Sequence, residues 1–270
     1  MDTGLAGKVV LVTGASGGIG GDIVRAFASE GCRVVAHYGK KKEAAEALAT
    51  EIGQAVIPLG ANLTQEEEVE KLFADAEAKL GRVEILIANA GYWPPEPTPL
   101  HKMTLERWNA TLGDNLTSLF LTVRQLTRGI VAHAIEAPAA VMIGSTAGLF
   151  GEAGHGDYAA AKAAINFGFL RTMKNEMSRI APRGRINVVA PGWTMTPLKR
   201  QLRRDPDQVR RVLQTIPLRK IANPADVANL CVFLASDRLA GHITGEIIPV
   251  SGGMEGRVLY HPQEVDPNIL

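Results

Sequence analysis

Residues 157–165 read DYAAAKAAI, a tyrosine and a lysine separated by three alanines. Alanine is the best helix former, so the stretch predicts a helix. Residues four apart on a helix stand one above the other on the same face, which makes Tyr158 and Lys162 neighbours. A free phenol titrates near pH 10, too high for a good base at neutral pH. A cation within ~4–6 Å favours the phenolate and lowers that value by roughly 1–3 units. The spacing therefore offers a tyrosine able to exchange a proton with a substrate oxygen. Taken alone, such a pair more often decorates a helix surface.

A second constellation supports the chemical reading. In VLVTGASGGIGGDIV, glycines follow an apolar run directly and open a helical pattern. Gly14 permits a tight turn, Gly18 lets backbone approach a pyrophosphate, and Gly20 lets the helix pack closely on the strand. The free N–H groups of that helix N-terminus would face the phosphates. The strand-before, helix-after context that such a motif requires is present.

The elements that must position these residues follow from periodicity. Strand candidates are KVVLVTG from Lys8, RVVAHY from Arg33, AVIPLG from Ala55, VEILIANAG from Val83, AAVMIGS from Ala139, RINVVAPG from Arg185 and EIIPV from Glu246. Most are continuously apolar, as strands are when helices cover both faces. Helical patterns separate them. Gly31, Gly53 and Gly81 stand where a glycine ends a helix with positive φ. Thr64 and Glu67 read as a capping box, and Asn223-Pro224 as N-cap and first helical residue. The alternation predicts an α/β fold, one doubly wound seven-stranded parallel sheet, in a single domain over residues 1–270. Within it, residues 193–220 read as a substrate lid and 254–270 as a tail.

The spacing Thr13-Gly14-x-x-x-Gly18-x-Gly20 resembles the short-chain dehydrogenase/reductase family, in its 3-oxoacyl-reductase-like members. Further matches come in that family's order: Asn89-Ala90-Gly91, Asn115 in DNLTSLF, Ser145 in IGSTAG, Tyr158-x-x-x-Lys162, Pro191-Gly192 and the ending ITGEIIPVSGG. The resemblance spans roughly residues 6 to 253. It implies a Rossmann-type fold and hydride transfer between a nicotinamide and a ketone or secondary alcohol. Asn115, Ser145, Tyr158 and Lys162 would be the catalytic tetrad, with Asn115 supporting a water relay to the lysine. Cofactor contacts would come from Gly14, Ser16, Gly18, Ile19, Gly20, Asn62, Leu63, Asn89, Ala90, Gly91, Tyr158, Lys162, Pro191, Gly192, Thr194 and Thr196. The resemblance also implies a homotetramer built from helices around 105–133 and 157–180 and the last strand. Rivals are an NAD-linked sugar, hydroxy-acid or steroid alcohol dehydrogenase of the same family, an epimerase or dehydratase, and a non-catalytic nucleotide sensor. About 17 residues follow Gly253, short for an epimerase substrate domain, and a sensor would not need Tyr158.

The second strand indicates which nicotinamide. Where an acid would bind the ribose 2′-OH stands Tyr38, and no acid follows until Glu43. Lys40, Lys41 and Lys42 cluster where a 2′-phosphate would need cations, so NADP is expected, with NAD as the alternative. Asn62 replaces an aspartate common beside the adenine, and its amide oxygen could still accept from the adenine amino group. Pocket walls are expected from Trp93, Ser145, His155 and Trp193. From Lys199 to Lys220 there are eight Lys/Arg and two Asp, either a solvated lid or a lip for an acidic substrate or carrier protein.

Composition excludes other classes. Hydrophobic residues make up 46%, charged residues 21%, and the net charge is +1, so nothing global calls for nucleic acid or a membrane surface. Cys32 and Cys231 have no metal or redox spacing, and no metal is expected. No apolar run reaches 18 residues and the first residues lack a signal-peptide pattern, so a cytoplasmic protein is expected.

Overall fold

The computed structural model of the chain describes residues 2–196, 205–258 and 260–267. The seven apolar runs form β1 (Val9–Val12), β2 (Arg33–Tyr38), β3 (Val56–Gly60), β4 (Ile85–Ala88), β5 (Ala139–Ile143), β6 (Arg185–Pro191) and β7 (Ile247–Val250). All pairings are parallel, in the order β3-β2-β1-β4-β5-β6-β7. The chain reverses direction across the sheet between β1 and β4. Crossovers leave to opposite faces there, and a crevice opens at the C-terminal strand ends.

The helices are α1 (Gly18–Ser29), α2 (Lys42–Ile52), α3 (Glu66–Leu80), α4 (Leu105–Leu112), α5 (Ser118–His133), α6 (Ala147–Phe150), α7 (Gly156–Ala163), α8 (Leu170–Ile180), α9 (Pro206–Leu213), α10 (Pro224–Ala235) and α11 (Asp237–Ala240). Successive strand residues feed opposite layers. Leu11, Leu86, Met142 and Val188 pack with Phe73, Leu126, Leu170 and Met177 of α3, α5 and α8. Val10, Val12 and Ile87 pack with Ile23, Phe27, Leu48, Val227 and Cys231 of α1, α2 and α10. Burial on both faces explains why the strands read as unbroken apolar runs. Cys32 and Cys231 are free and buried, and burial pushes the Cys32 thiol up to about 12.

Helix punctuation holds at Gly31, Gly53 and Gly81, with φ of +77°, +95° and +98°. α10 opens at Pro224, with the Asn223 N–H donating to the Asp226 carboxylate at 2.8 Å. The capping box expected at Thr64 and Glu67 is absent. α3 begins at Glu66, and the Thr64 hydroxyl donates back to Asn62 Oδ1 at 2.8 Å instead. The Asn62 side chain closes its own turn over Thr64 and so competes for the would-be cap.

Two helical rods carry a feature that periodicity did not predict. A π turn, Gly113–Thr117, joins α4 to α5, and another, Ala164–Phe169, joins α7 to α8. A third small core joins Val209, Val212 and Leu213 of α9 to Ile216, Ile221 and Val265, with Trp193, Met195, Met254 and Tyr260 packed against it. The tail thus lies on the expected lid. Residues 197–204 of that lid, with Arg203 and Arg204, lie outside the described residues.

Candidate active site

The expected tetrad assembles at the C-terminal ends of β4 and β5. Lys162, on α7, is buried, and its Nζ donates to the carbonyl of Ile143, the last residue of β5, at 2.9 Å. The same Nζ stands 5.6 Å from the centre of the Tyr158 ring. Asn115, wholly buried in the first π turn, donates through Nδ2 to the carbonyls of Tyr92 and Thr111 at 2.8 and 3.0 Å. Its Oδ1 accepts the Tyr92 N–H at 3.2 Å. Gly91 is where these side chains meet. A Cβ there would lie 2.6 Å from Asn115 Oδ1 and 3.4 Å from Lys162 Nζ, so the lysine could not reach past a larger residue. Ser145 accepts the Ala147 N–H at 3.1 Å and hydrogen-bonds to Tyr158. π turns displace one residue from helical register and recur at functional sites, which is how Asn115 comes to face the strand ends.

The charge state differs from that predicted by spacing. Burial pushes Tyr158 up to about 12; the Ser145 hydrogen bond opposes this and the Glu152 carboxylate adds to it. Burial also lowers Lys162 to about 8. Lys162 stands over the ring face, and its Nζ is bonded to the Ile143 carbonyl. The phenol is therefore held protonated, which is the state that donates to an oxygen.

Beside the tetrad lies the glycine turn. Gly14 has φ +67°, and a Cβ there would come 2.9 Å from Ala90 Cα. Thr13 Oγ1 accepts both the Asn89 and the Ala90 N–H at 2.9 Å, and Asn89 Nδ2 donates to the Thr13 and Gly14 carbonyls at 2.9 and 3.2 Å. From the other side, His37 Nδ1 accepts the Gly14 N–H at 3.1 Å. His37 Nε2 donates to the Ala61 carbonyl at 3.0 Å, which fixes its tautomer. Burial lowers His37 to about 4, so it stays neutral.

These residues fit a dinucleotide. α1 opens behind Gly17 with no side-chain cap and no acid in its first turn, which leaves its N-terminal N–H groups to an anion. Gly20 packs tightly, since a Cβ there would meet the Gly14 carbonyl at 2.3 Å. Tyr38 ends β2 and covers Gly60, where a Cβ would touch its ring at 2.7 Å. Lys40 and Lys41 are exposed just beyond, and Lys42 lies 3.4 Å from Glu46. Leu63 is buried. Asn62 Oδ1 accepts both the N–H and the hydroxyl of Thr64, so the expected contact with an adenine amino group competes with two existing bonds. On the far side, the Gly192 N–H donates to the Val250 carbonyl at 3.0 Å. Thr194 is buried and pairs with Ala222, and Thr196 is partly buried.

Two of the expected pocket residues meet. The Trp93 and His155 rings stack with centroids 4.7 Å apart, and His155 Nε2 donates to the Pro94 carbonyl at 2.9 Å. Trp193 packs against the core under α9.

Sequence reasoning missed several supports. Asn166, wholly buried in the second π turn, donates to the Ser145 carbonyl at 3.0 Å and positions that strand end. Asp157 is wholly buried beside Tyr158 and takes bonds from Arg107 at 3.0 Å and Thr111 at 2.8 Å. Burial raises its pKa, but the Arg107 and Thr111 hydrogen bonds prevail and hold it below the ordinary value. A lone asparagine in an apolar helical run, AAINFGFL, and an acid just before the tyrosine were the available signals.

Comparison with known proteins finds relatives along most of the chain. The family model described as enoyl-(acyl carrier protein) reductase matches residues 14–255. A 3-oxoacyl-[acyl-carrier-protein] reductase of Synechocystis is 37% identical over 256 residues, covering 93% of this chain and 98% of that one. The Escherichia coli 3-oxoacyl-[acyl-carrier-protein] reductase FabG is 35% identical over 249 residues, 92% of this chain and 97% of its own. Nodulation protein G of Rhizobium meliloti is 36% identical over 251 residues, 93% and 98% of the two chains.

Proposed function

The chain belongs to the short-chain dehydrogenase/reductase family, and from that premise we propose how its own residues carry out an NADP-linked ketone reduction. The bound nicotinamide supplies the hydride. The phenol of Tyr158 donates its proton to the substrate oxygen, and the Ser145 hydroxyl stabilises the charge that develops there. Lys162 sits beneath Gly91 beside Tyr158 and Asn115, where its ammonium stabilises the phenolate that the proton transfer leaves behind. Asn115 fixes the Tyr92 backbone and so shapes the floor of the site. The single observation that carries this reading is the convergence of Lys162 Nζ and Asn115 Oδ1 at Gly91, with Ser145 bonded to Tyr158.

The glycine turn and the open N-terminus of α1 would hold the pyrophosphate, and Lys40 and Lys41 the 2′-phosphate. The matching family model takes its description from carbon–carbon double bonds, the relatives theirs from 3-oxo groups. A serine and a protonated tyrosine aimed at one atom suit an oxygen, so the 3-oxo class is the better fit. We read residues 1–270 as one working unit. Exposed Phe120 and Val131 on α5 and Phe167 before α8 support assembly through these helices, in keeping with a homotetramer. Among the described residues no helix is long and apolar enough to cross a membrane, and the cytoplasm is the compartment proposed. The direct test is NADPH consumption, followed by absorbance, against 3-oxo esters, 3-oxo thioesters and simple ketones. Consumption with none of them refutes the reading.

A further inference from the structure

The segment between Ser145 and Tyr158 places an acid on the substrate side of the site. Glu152 follows α6 and Gly151, and its side chain is 34% exposed. Its carboxylate accepts Trp93 Nε1–H at 3.2 and 3.4 Å through its two oxygens. His155 Nδ1 lies 3.7 Å from Oε1 and makes no hydrogen bond; Nε2 carries the ring hydrogen, because the carbonyl of Pro94 can only accept. The Trp93 N–H therefore holds Glu152 in place beside the stacked His155 ring.

Of the nearby charges, Asp157 is paired with Arg107, and Lys162 is buried beneath Gly91 with its ammonium on the Ile143 carbonyl. Among the described residues Glu152 has no cationic lysine or arginine partner. Its field is felt at the reacting group, since it raises the pKa of Tyr158.

We propose that Glu152, tethered by Trp93, sets the charge preference of the pocket: it disfavours ketones that carry a carboxylate near the reacting carbonyl and favours neutral or cationic ones. This rests on the ketoreductase reading. It also runs against an acidic substrate, one option raised by the basic stretch 199–220.

The test compares acetoacetate with methyl acetoacetate, which present the same ketone with and without a negative charge. Glu152→Gln keeps an acceptor for Trp93 Nε1 and removes the charge. It should raise the acid-to-ester ratio of kcat/KM about three- to five-fold, the size expected for one partly exposed charge screened by solvent. Glu152→Lys should raise it further. In the wild type the ratio should climb with ionic strength, and in Glu152→Gln it should stay flat. Ratios that match between wild type and Glu152→Gln overturn the proposal. Calorimetric titration of both compounds into the enzyme loaded with oxidised NADP reads the same preference without turnover. A wild type that binds the ester more tightly yet consumes NADPH with neither compound, nor with any 3-oxo thioester or simple ketone, would refute the ketoreductase reading and uphold the filter. Equal affinities, or binding of neither, would refute the filter.

Discussion

Around the glycine turn, on the β1–β3 side of the crevice, the polar groups of Thr13, Asn89 and His37 bond to one another's backbone and to that of Gly14, Ala90 and Ala61. On the β4–β6 side, Arg107 Nη2, His155 Nδ1 and Asn166 Oδ1 are buried without a hydrogen bond. An unsatisfied buried polar atom costs about 1–3 kcal/mol, so several on one side mark a region whose order was not optimised for stability alone. The first side is pre-organised to hold a constant ligand. The second is a looser wall of loops from three parts of the chain, where substrate choice can be tuned without disturbing the turn.

The most severe way to break that division is to remove the one group through which both sides act. Tyr158→Phe deletes the proton donor and leaves the turn untouched. Its kcat should fall about a thousandfold, within the range for loss of a general acid, while NADPH affinity by calorimetry stays within a few-fold. Activity near wild type would mean that another group protonates the substrate.

The substrate side should also break structurally at its buried ion pair. Arg107→Ala leaves the Asp157 carboxylate buried without its cation. Removing one partner of such a pair costs about 3 kcal/mol or more, read as a shift in the urea midpoint. Asp157→Asn added to Arg107→Ala should recover part of that loss. If it does not, the damage comes from the bonds of Arg107 to Glu96 and Thr98 rather than from stranded charge.

The turn side has its own weak point in acid. His37 titrates near 4 when folded, against about 6.5 for a free imidazole. On acidification the unfolded chain takes up the proton first, so stability is full above pH ~6.5 and declines as pH falls towards 4. The loss from this group should reach roughly 2 kcal/mol by pH 5. His37→Asn should be less stable at pH 7 but lose less between pH 7 and pH 5. Parallel losses in the two proteins would assign the acid sensitivity to other groups.

The same contrast decides what could be read before the structure. The strands were legible because burial on both faces leaves unbroken apolar runs, and the turn because its glycines answer to local backbone demands. Tyr158 and Lys162 were legible as neighbours from helical spacing. Their protonation was not, because it depends on how much water the fold excludes, and here burial outweighs the Ser145 hydrogen bond that opposes it. The π turns left no side-chain pattern, since they shift backbone bonds by one residue. The Trp93–Glu152 contact joins residues 59 apart in two loops that no periodicity relates. His37 looked like one more residue of an apolar strand, and the Asn62 oxygen, read as an adenine contact, is taken up by the local turn with the Thr64 N–H and hydroxyl.

The smallest effect is expected at the rim of the turn side, and it probes how far pre-organisation extends. Lys40 and Lys41 are exposed, while Lys42 is paired with Glu46. An exposed lysine gains roughly 0.3–1 kcal/mol from a nearby anion, because solvent screens the pair and the long side chain loses freedom. Lys40→Gln and Lys41→Gln should therefore each weaken NADPH two- to five-fold and leave NADH unchanged. The double variant should show about the product of the two, because flexible side chains on solvent act independently. Lys42→Gln serves as the control, since its ammonium already has a partner. Fluorescence titration with both cofactors at low and high salt reads the effect. Equal weakening of NADPH and NADH would move the lysines off the 2′-phosphate and onto the pyrophosphate, and no weakening of either would leave Tyr38 and the backbone beyond it to make the choice.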